Sequence, residues 1–546
     1  MRLPLGLAFL LAPLWTAAQP EIVPAEHPVY DWLADQRAAG ALPEYRHETL
    51  PTDRAEVRRH LDSLAVRPDR LGPSGRFWLG EFRREFFEPL DGVHSYVGDG
   101  RAGLLDPDAE RTFAYARDST WRVSIWGEGA LEYRQSEGAI EADGISRSAR
   151  LTFEASYRDW LGLYTSTLSG DTMFGDAAVL AADPALAPLY YVARDPTNIA
   201  GPFDQTTASL RVAGGPFSAE IANERLRIGA SADAPVVLAD AADYLPFVRL
   251  GLRTRSVTVQ AVHAALSSQS RTVAADDDLY FEAPERYLAL HRLEVQPTGW
   301  WTWAYTGMAV YGRRGPELAY LNPLYPVKAA EHALYDRDNT LFSLETTVRP
   351  LRGLEGYFTW LVDDLATATL GDSQYGNKWS IQTGFKATVP GSGVTAFGEY
   401  VRIEPYMYTH RFQEDGFFFN SYVHNGFSLG HPLGPNADQW LVGAQAWLPL
   451  RARGRLAARY VRKGENPVDP VTGEVTNVGG DVRLGTAPED GRKAFLAGDL
   501  YEGPGLQARF EVEPVHGVAF RLLGDALFWQ DRPNDVFVRF GLAVRP

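Results

Sequence analysis

Three of the chain's 11 histidines, His410, His424 and His431, fall within residues 403–440. Tyr406, Tyr408 and Tyr422 lie among them, followed by the run Leu429-Gly430-His431-Pro432-Leu433-Gly434-Pro435. Imidazoles, phenols and turn residues in one stretch suit three chemistries: a metal centre, a hydrolase and a sugar-binding loop. Zinc sites on regular elements favour closer pairs, such as two histidines four apart on a helix, and this stretch has none. A loop pinned by Gly and Pro is the better reading, and no metal is expected. A Ser-His-Asp set is available on paper from Ser421 or Ser428 with His424 and Asp438, but a triad is defined by geometry. No Gly-x-Ser-x-Gly turn supports one, so no catalytic residue is assigned.

Sugar recognition needs rings that pack on apolar pyranose faces, and polar groups that meet hydroxyls. Tyr406, Tyr408, His410, Arg411, Tyr422, His424 and Asn425 supply that mixture in one stretch. A second candidate, "YLNPLYPVKAAEHALYDRDN", adds Tyr320, Asn322, Tyr325, Lys328, His332 and Arg337. Lys328, Arg337 and Arg411 provide the local positive charge an acidic polymer requires. For Tyr406 and Tyr408 a second reading stands beside this one: the interfacial aromatic girdle of a membrane barrel. Asp363-Asp364 raises calcium or glycoside hydrolysis, but neighbours on a strand point oppositely, so an interior ionic contact or a turn cap is the expectation. Asp276-Asp277-Asp278 reads as a solvated loop run, with calcium the minor alternative.

The elements that must position these residues follow from patterning. "MRLPLGLAFLLAPLWTAAQP" has one early Arg, a short apolar stretch and small residues before a polar start, the layout of a secretory signal over residues 1–18. Residues 19–92 read as a helical unit. Val29, Trp32 and Leu33 share a helical face ended by Gly40. Asp53 is placed as an N-cap before Val57, Leu61 and Leu64, and Trp78, Phe82 and Phe86 repeat the period. A unit this small is expected to dock on something larger.

From residue 93 to 546 the period becomes two. Trp121, Val123, Ile125, Leu131 and Tyr133 oppose Arg122, Ser124, Glu128 and Glu132; Leu151 and Phe153 oppose Thr152 and Glu154. Phe342, Leu344 and Val348 oppose Ser343, Glu345 and Arg349, and the final strand alternates through Val536, Val538, Phe540, Leu542 and Val544. Turn signals ("PLRG", "PGSG", "RARG") separate the segments, and the polar face carries charges of both signs, such as Glu154 with Arg158 and Glu345 with Arg349. There is no cysteine, so neither disulfides nor thiolate sites contribute. With 25 Tyr, 27 Phe, 14 Trp and 51 Gly, the composition fits an outer-membrane β-barrel, with a large secreted β-sandwich or β-propeller as the alternative; the repeated turns and the mixed-sign polar face favour the barrel. A net charge of −16 argues against nucleic acid as a partner.

The chain resembles the Wzi-type capsule assembly proteins over nearly its whole mature length. The likeness runs through "VYDWLADQRAAGALP", "GPFDQTTASLRVAGGPFSAEIANERLRIG" with Glu224 and Arg225, "LNPLY", "YFTWLVDDL" and "GEYVRIEPYMYTHR". "HNGFSLGHPLGPNAD" is the most specific piece. From the family pattern, "RIGASADAPVVLADAADYLP" replaces a Trp-Gly-Pro-Gly run; from outer-membrane barrels generally, which usually finish on an aromatic residue, the chain departs in finishing Arg545-Pro546. The resemblance implies a monomeric 18-stranded barrel of the outer membrane, closed on the periplasmic side by helices. It further implies that the barrel binds surface polysaccharide and helps organise the capsule layer, with no cofactor. A porin or substrate channel built on the same barrel is the alternative.

Overall fold

A computed structural model describes residues 19–87, 92–95, 113–192, 201–267, 271–275, 278–282, 285–323, 325–365, 373–412 and 419–545. The signal segment, Asp276 and Asp277 lie outside these residues. Eighteen long antiparallel strands form one closed barrel, beginning with Trp121–Glu137 and ending with Asp535–Val544. The last strand pairs back onto the first, Phe540 opposite Tyr133 and Leu542 opposite Leu131, so no edge is left open. Two short strands, Gly92–Ser95 and Ala114–Arg117, pair with each other, and the second also pairs with the start of the first long strand.

The expected faces hold. Leu151, Phe358 and Phe540 are exposed on the outer wall, whereas Thr152, Glu154, Glu345 and Arg349 are buried inside. There Glu345 pairs with Arg292 at 2.6 Å and Arg349 with Glu355 at 3.5 Å. One expected placement does not hold. Arg158 lies past its strand in a turn, at φ 48°, and Glu154 is instead held inside by Arg54 at 3.2 Å and Arg122 at 3.1 Å. Tight turns join the strands at one end of the barrel and long loops at the other.

The helical unit closes the short-turn end. Helix α1 spans Val29–Ala38, α2 Arg54–Ala65 and α3 Pro73–Phe86. Asp53 accepts from the Glu56 amide at 2.8 Å, the N-cap read from the sequence. Gly40, at φ 77°, follows the end of α1. Trp32, Leu33, Val57, Leu61 and Phe82 form a shared core that also takes in Trp447 of the barrel wall, whose ring meets Trp78 at 4.9 Å. Ion pairs complete the seal. Arg37 bridges Glu48 at 2.8 Å and the wall residue Glu355 at 2.7 Å; Arg122 reaches Glu21 at 2.9 Å and Arg211 reaches Asp53 at 3.1 Å.

A core occupies part of the lumen. After Glu224 the chain turns inward, and residues 225–244 run down inside the barrel. Arg227–Ile228 pairs with Thr49–Leu50 of the helical unit, and Gly229 N donates to Glu48 O at 2.9 Å. Val236, Val237 and Leu238 are fully buried in an apolar cluster with Met308, Tyr408, Tyr422 and Leu429. Polar wall residues hold this segment's backbone: Ala232 N donates to Glu399 at 2.8 Å, and Gln382 accepts from Val236 N and donates to Ala234 O. This is the stretch where the sequence departs from the Trp-Gly-Pro-Gly pattern.

Candidate functional site

The strand Val394–Ile403 delivers the histidine- and tyrosine-rich stretch at the long-loop end, and Ala437–Leu448 carries the chain back. Between them the backbone turns tightly. Tyr406 and Tyr408 both adopt left-handed φ, at 64° and 70°, conformations that cost about 1–3 kcal/mol each for a non-glycine residue. Burial offsets that cost. The Tyr408 hydroxyl donates to Val236 O at 2.9 Å and that of Tyr422 to Val237 O at 2.7 Å; the two rings stack at 5.7 Å. Ala239 N donates to Leu429 O at 2.7 Å. The stretch is therefore a cap seated on the inward segment. A Cβ on Gly430 would lie 2.4 Å from the Tyr408 ring, so only glycine lets the cap close there.

The surface placement expected for these residues is corrected. Tyr406, Tyr408, Tyr422, His424, Asn425 and His431 are all buried. The Tyr406 hydroxyl donates to Asn477 O at 2.7 Å. His424 donates from Nε2 to Tyr244 O and accepts at Nδ1 from Ser267 N. Asn425 donates to Asp243 at 2.9 Å. Phenols and amides at the end of a barrel satisfy backbone carbonyls as readily as sugar hydroxyls, and the core inside the lumen supplies the carbonyls. Asn425 and Gly426, at φ 47° and 78°, form the two-residue turn of a small hairpin, Val423–His424 with Phe427–Ser428. That Asn-Gly pair was the available signal for internal structure in the cap.

No metal or triad geometry is present among the described residues. No cluster of three potential metal ligands occurs. Both nitrogens of His424 are occupied, and Asp438 is held by Arg462 at 2.9 Å. Burial pushes His424 and His431 down to about 4. Burial, aided by the positive charge of Lys378, takes His410 down to about 3, so all three are neutral at neutral pH. Asp363 and Asp364 end their strand at a register shift. This irregularity lets both carboxylates approach one partner, Lys378, at 3.5 and 2.8 Å. The expected interior ionic contact is there, but the opposite pointing of strict alternation is not.

The accessible candidates form a rim. Arg411, Asn322, Lys328 and Arg337 are exposed and His410 is half-buried, whereas Tyr320 is buried and donates to Asp338 at 2.7 Å. The two candidate loops meet. Asn420 Nδ2 donates to Arg337 O at 2.8 Å, and Lys328 and Arg411 both act electrostatically on His410. The result is a rim that carries Lys328, Arg337 and Arg411, with Lys328 paired to Glu331 and His332 to Asp336. A separate cavity of about 160 Å³ lies at the short-turn end, lined by Trp78, Phe86, Trp126 and the paired charges of Arg54, Arg122 and Glu154.

No known family and no curated protein matches the sequence. Among solved structures, one match covers 96% of this chain and 99% of the other, with TM-score 0.60 and 12% identity. It is Wzi of Escherichia coli, described as an outer membrane protein involved in group 1 capsule assembly and a carbohydrate-binding β-barrel. The chain has a Wzi-like fold. The likeness extends to the barrel class and stops there, since 12% identity carries no residue roles. Acinetobacter baumannii OccAB4 and Pseudomonas aeruginosa OprD match more weakly. TM-scores are 0.44 for both, with 11% and 10% identity, over 79% and 78% of this chain and 99% and 95% of theirs.

Proposed function

We propose that this barrel resides in the outer membrane, binds surface polysaccharide at its long-loop end and helps anchor or assemble it there, without catalysis. The helical unit then faces the periplasm. The observation that carries this reading is the core inside the lumen. Residues 225–244 link the cap, through Tyr408 and Tyr422, to the helical unit, through Arg227–Ile228. A diffusion or substrate channel needs a continuous water path, and a core inside the barrel argues against a wide one. This reading puts function at the surface, where Lys328, Arg337, His410, Arg411 and Asn322 offer cationic and amide groups to an acidic glycan. The buried Tyr320, Tyr406, Tyr408, Tyr422, His424 and Asn425 shape that surface from beneath. The Wzi-like fold supports the same reading by analogy only.

The test is binding of an acidic and a neutral polysaccharide to the purified barrel in nanodiscs. Lys328→Ala/Arg337→Ala/Arg411→Ala is expected to weaken the acidic polymer about tenfold, at roughly 0.5 kcal/mol per exposed charge. It should also flatten the salt dependence while leaving heat resistance intact. Unchanged affinity and salt dependence would move the site away from this rim.

A further inference from the structure

The segment between the strands Trp301–Gly312 and Asn339–Leu351 does not stand above the barrel. It folds back onto the outer wall. On these strands Arg292, Thr306 and Glu345 point inward, so by alternation His291, Ala289, Gly307, Ala309, Tyr311 and Thr340 point outward. Outward residues of a barrel should be exposed or lipid-covered, yet Ala289, Ala309 and Tyr311 are completely buried. What covers them is a helical hairpin, Leu318–Leu321 and Val327–Ala333, which packs Tyr320, Val327 and Ala330 onto them.

The wall is built for this cover. Small residues make room for the hairpin, and polar ones are paired to it. His291 Nε2 donates to Tyr320 O at 2.9 Å. The Tyr311 hydroxyl meets His263 at 2.6 Å and accepts from Glu317 N at 2.9 Å. Thr340 donates to Glu331 at 2.8 Å. Two outward histidines would be costly against hydrocarbon if nothing covered them. Ala309 stands roughly 20 Å up the barrel from the interfacial pair Trp300–Trp301, at ordinary strand rise and tilt, within an apolar band about 25 Å tall. The hairpin therefore sits at the upper edge of that band, beside the rim, rather than standing clear of it.

Its other face mixes apolar and charged groups. Leu318 is 78% exposed, Leu321 39% and Tyr335 88%, near exposed Lys328, His332 and Asp336. Below it on the same outward face of the wall stand Leu293, Tyr305 and Phe342. We infer that the hairpin is an outer-leaflet lipid-contacting element, with Leu318 and Leu321 set against lipid at the boundary between acyl chains and headgroups. The choice of leaflet rests on the orientation proposed above; the lipid contact does not.

The absence of cysteine allows single-site labelling. Nitroxides at Leu318→Cys and Leu321→Cys are compared in nanodiscs with Phe358→Cys on the barrel wall and Val471→Cys on a loop tip, each variant first checked for heat-resistant folding. Collisions with oxygen should dominate over those with a water-soluble nickel chelate at Leu318 and Leu321, as at Phe358 and opposite to Val471. Nickel accessibility like that of Val471 at both sites would overturn the inference. Spin–spin broadening between Leu318 labels that vanishes on dilution with unlabelled protein would assign the face to a second copy and overturn it too. A water-accessible Phe358 label would overturn the membrane reading itself, and the inference with it.

Discussion

Arg37 is the residue on which the seal at the short-turn end depends most. It is buried, donates to both oxygens of Glu48 at 2.8 and 3.0 Å, and donates to Glu355 at 2.7 Å. Burial alone would raise Glu48, but Arg37, with Arg349 and His47, pulls it well below the usual carboxylate range. Arg37→Ala leaves two carboxylates buried beside each other. Glu48 keeps only the His47 amide at 2.9 Å and Thr347 at 3.2 Å, and Glu355 keeps Arg349 at 3.5 Å. Breaking a buried pair in this way costs about 3–5 kcal/mol, or a rise of roughly 10² to several 10³-fold in the opening equilibrium of the helical unit. Hydrogen exchange of α1 amides reads that change directly, while amides of the barrel strands should be unaffected. Adding Glu355→Gln removes one stranded charge, so the double variant should recover at least about 1 kcal/mol relative to additivity. Exchange in α1 that rises less than about fivefold in Arg37→Ala would refute the argument that this ion pair holds the unit in place.

Other consequences are checked as simply. Leu344 faces outward between Tyr305 and Trp360, so Leu344→Arg should cost about 2–4 kcal/mol of folding into bilayers if it lies near the midplane, whereas Leu344→Phe should be tolerated; urea titration in vesicles distinguishes them. Gly430→Ala drives a methyl group into the buried Tyr408 ring and should destabilise the cap by about 1–3 kcal/mol, seen as faster exchange at Tyr422 and Leu429 with barrel heat resistance retained. His424 and His431 have folded values near 4, against 6.5 unfolded. The unfolded cap therefore takes up protons first on acidification. Stability is fully present above pH 6.5 and falls toward pH 4, by at most about 3 kcal/mol per histidine. Cap exchange at pH 7 and pH 4.5 should show the loss, and His424→Gln/His431→Gln should flatten it.

The barrel was legible because its two faces obey a strict alternation. Leu151 against Thr152 and Phe358 against Thr359 need no tertiary information to be assigned a side. The helical unit was legible through Asp53 and the spacing of Val57, Leu61 and Leu64. The candidate site was not, and the reason is physical. Tyr408, Tyr422 and His424 have the chemistry of a glycan site, but their partners are Val236, Val237 and Tyr244, far away in sequence and brought in only when residues 225–244 fold inward. The segment "ASADAPVVLADAA" shows neither period, so nothing local announces that it will form the centre of the lumen. The hairpin at 318–333 was read as a rim loop for a related reason. Only the outward placement of His263 and His291 hints that the wall there is covered. Arg411, Lys328 and Arg337 remain accessible because long cationic side chains are expensive to bury without partners.

The central claim is that the lumen holds its own core and no wide channel, and single-channel recording in planar bilayers tests it most directly. The intact mature barrel should show no large conductance steps, and deletion of residues 230–238 together with the helical unit should introduce them. Wide, stable openings by the intact barrel would contradict the account and return a channel to first place.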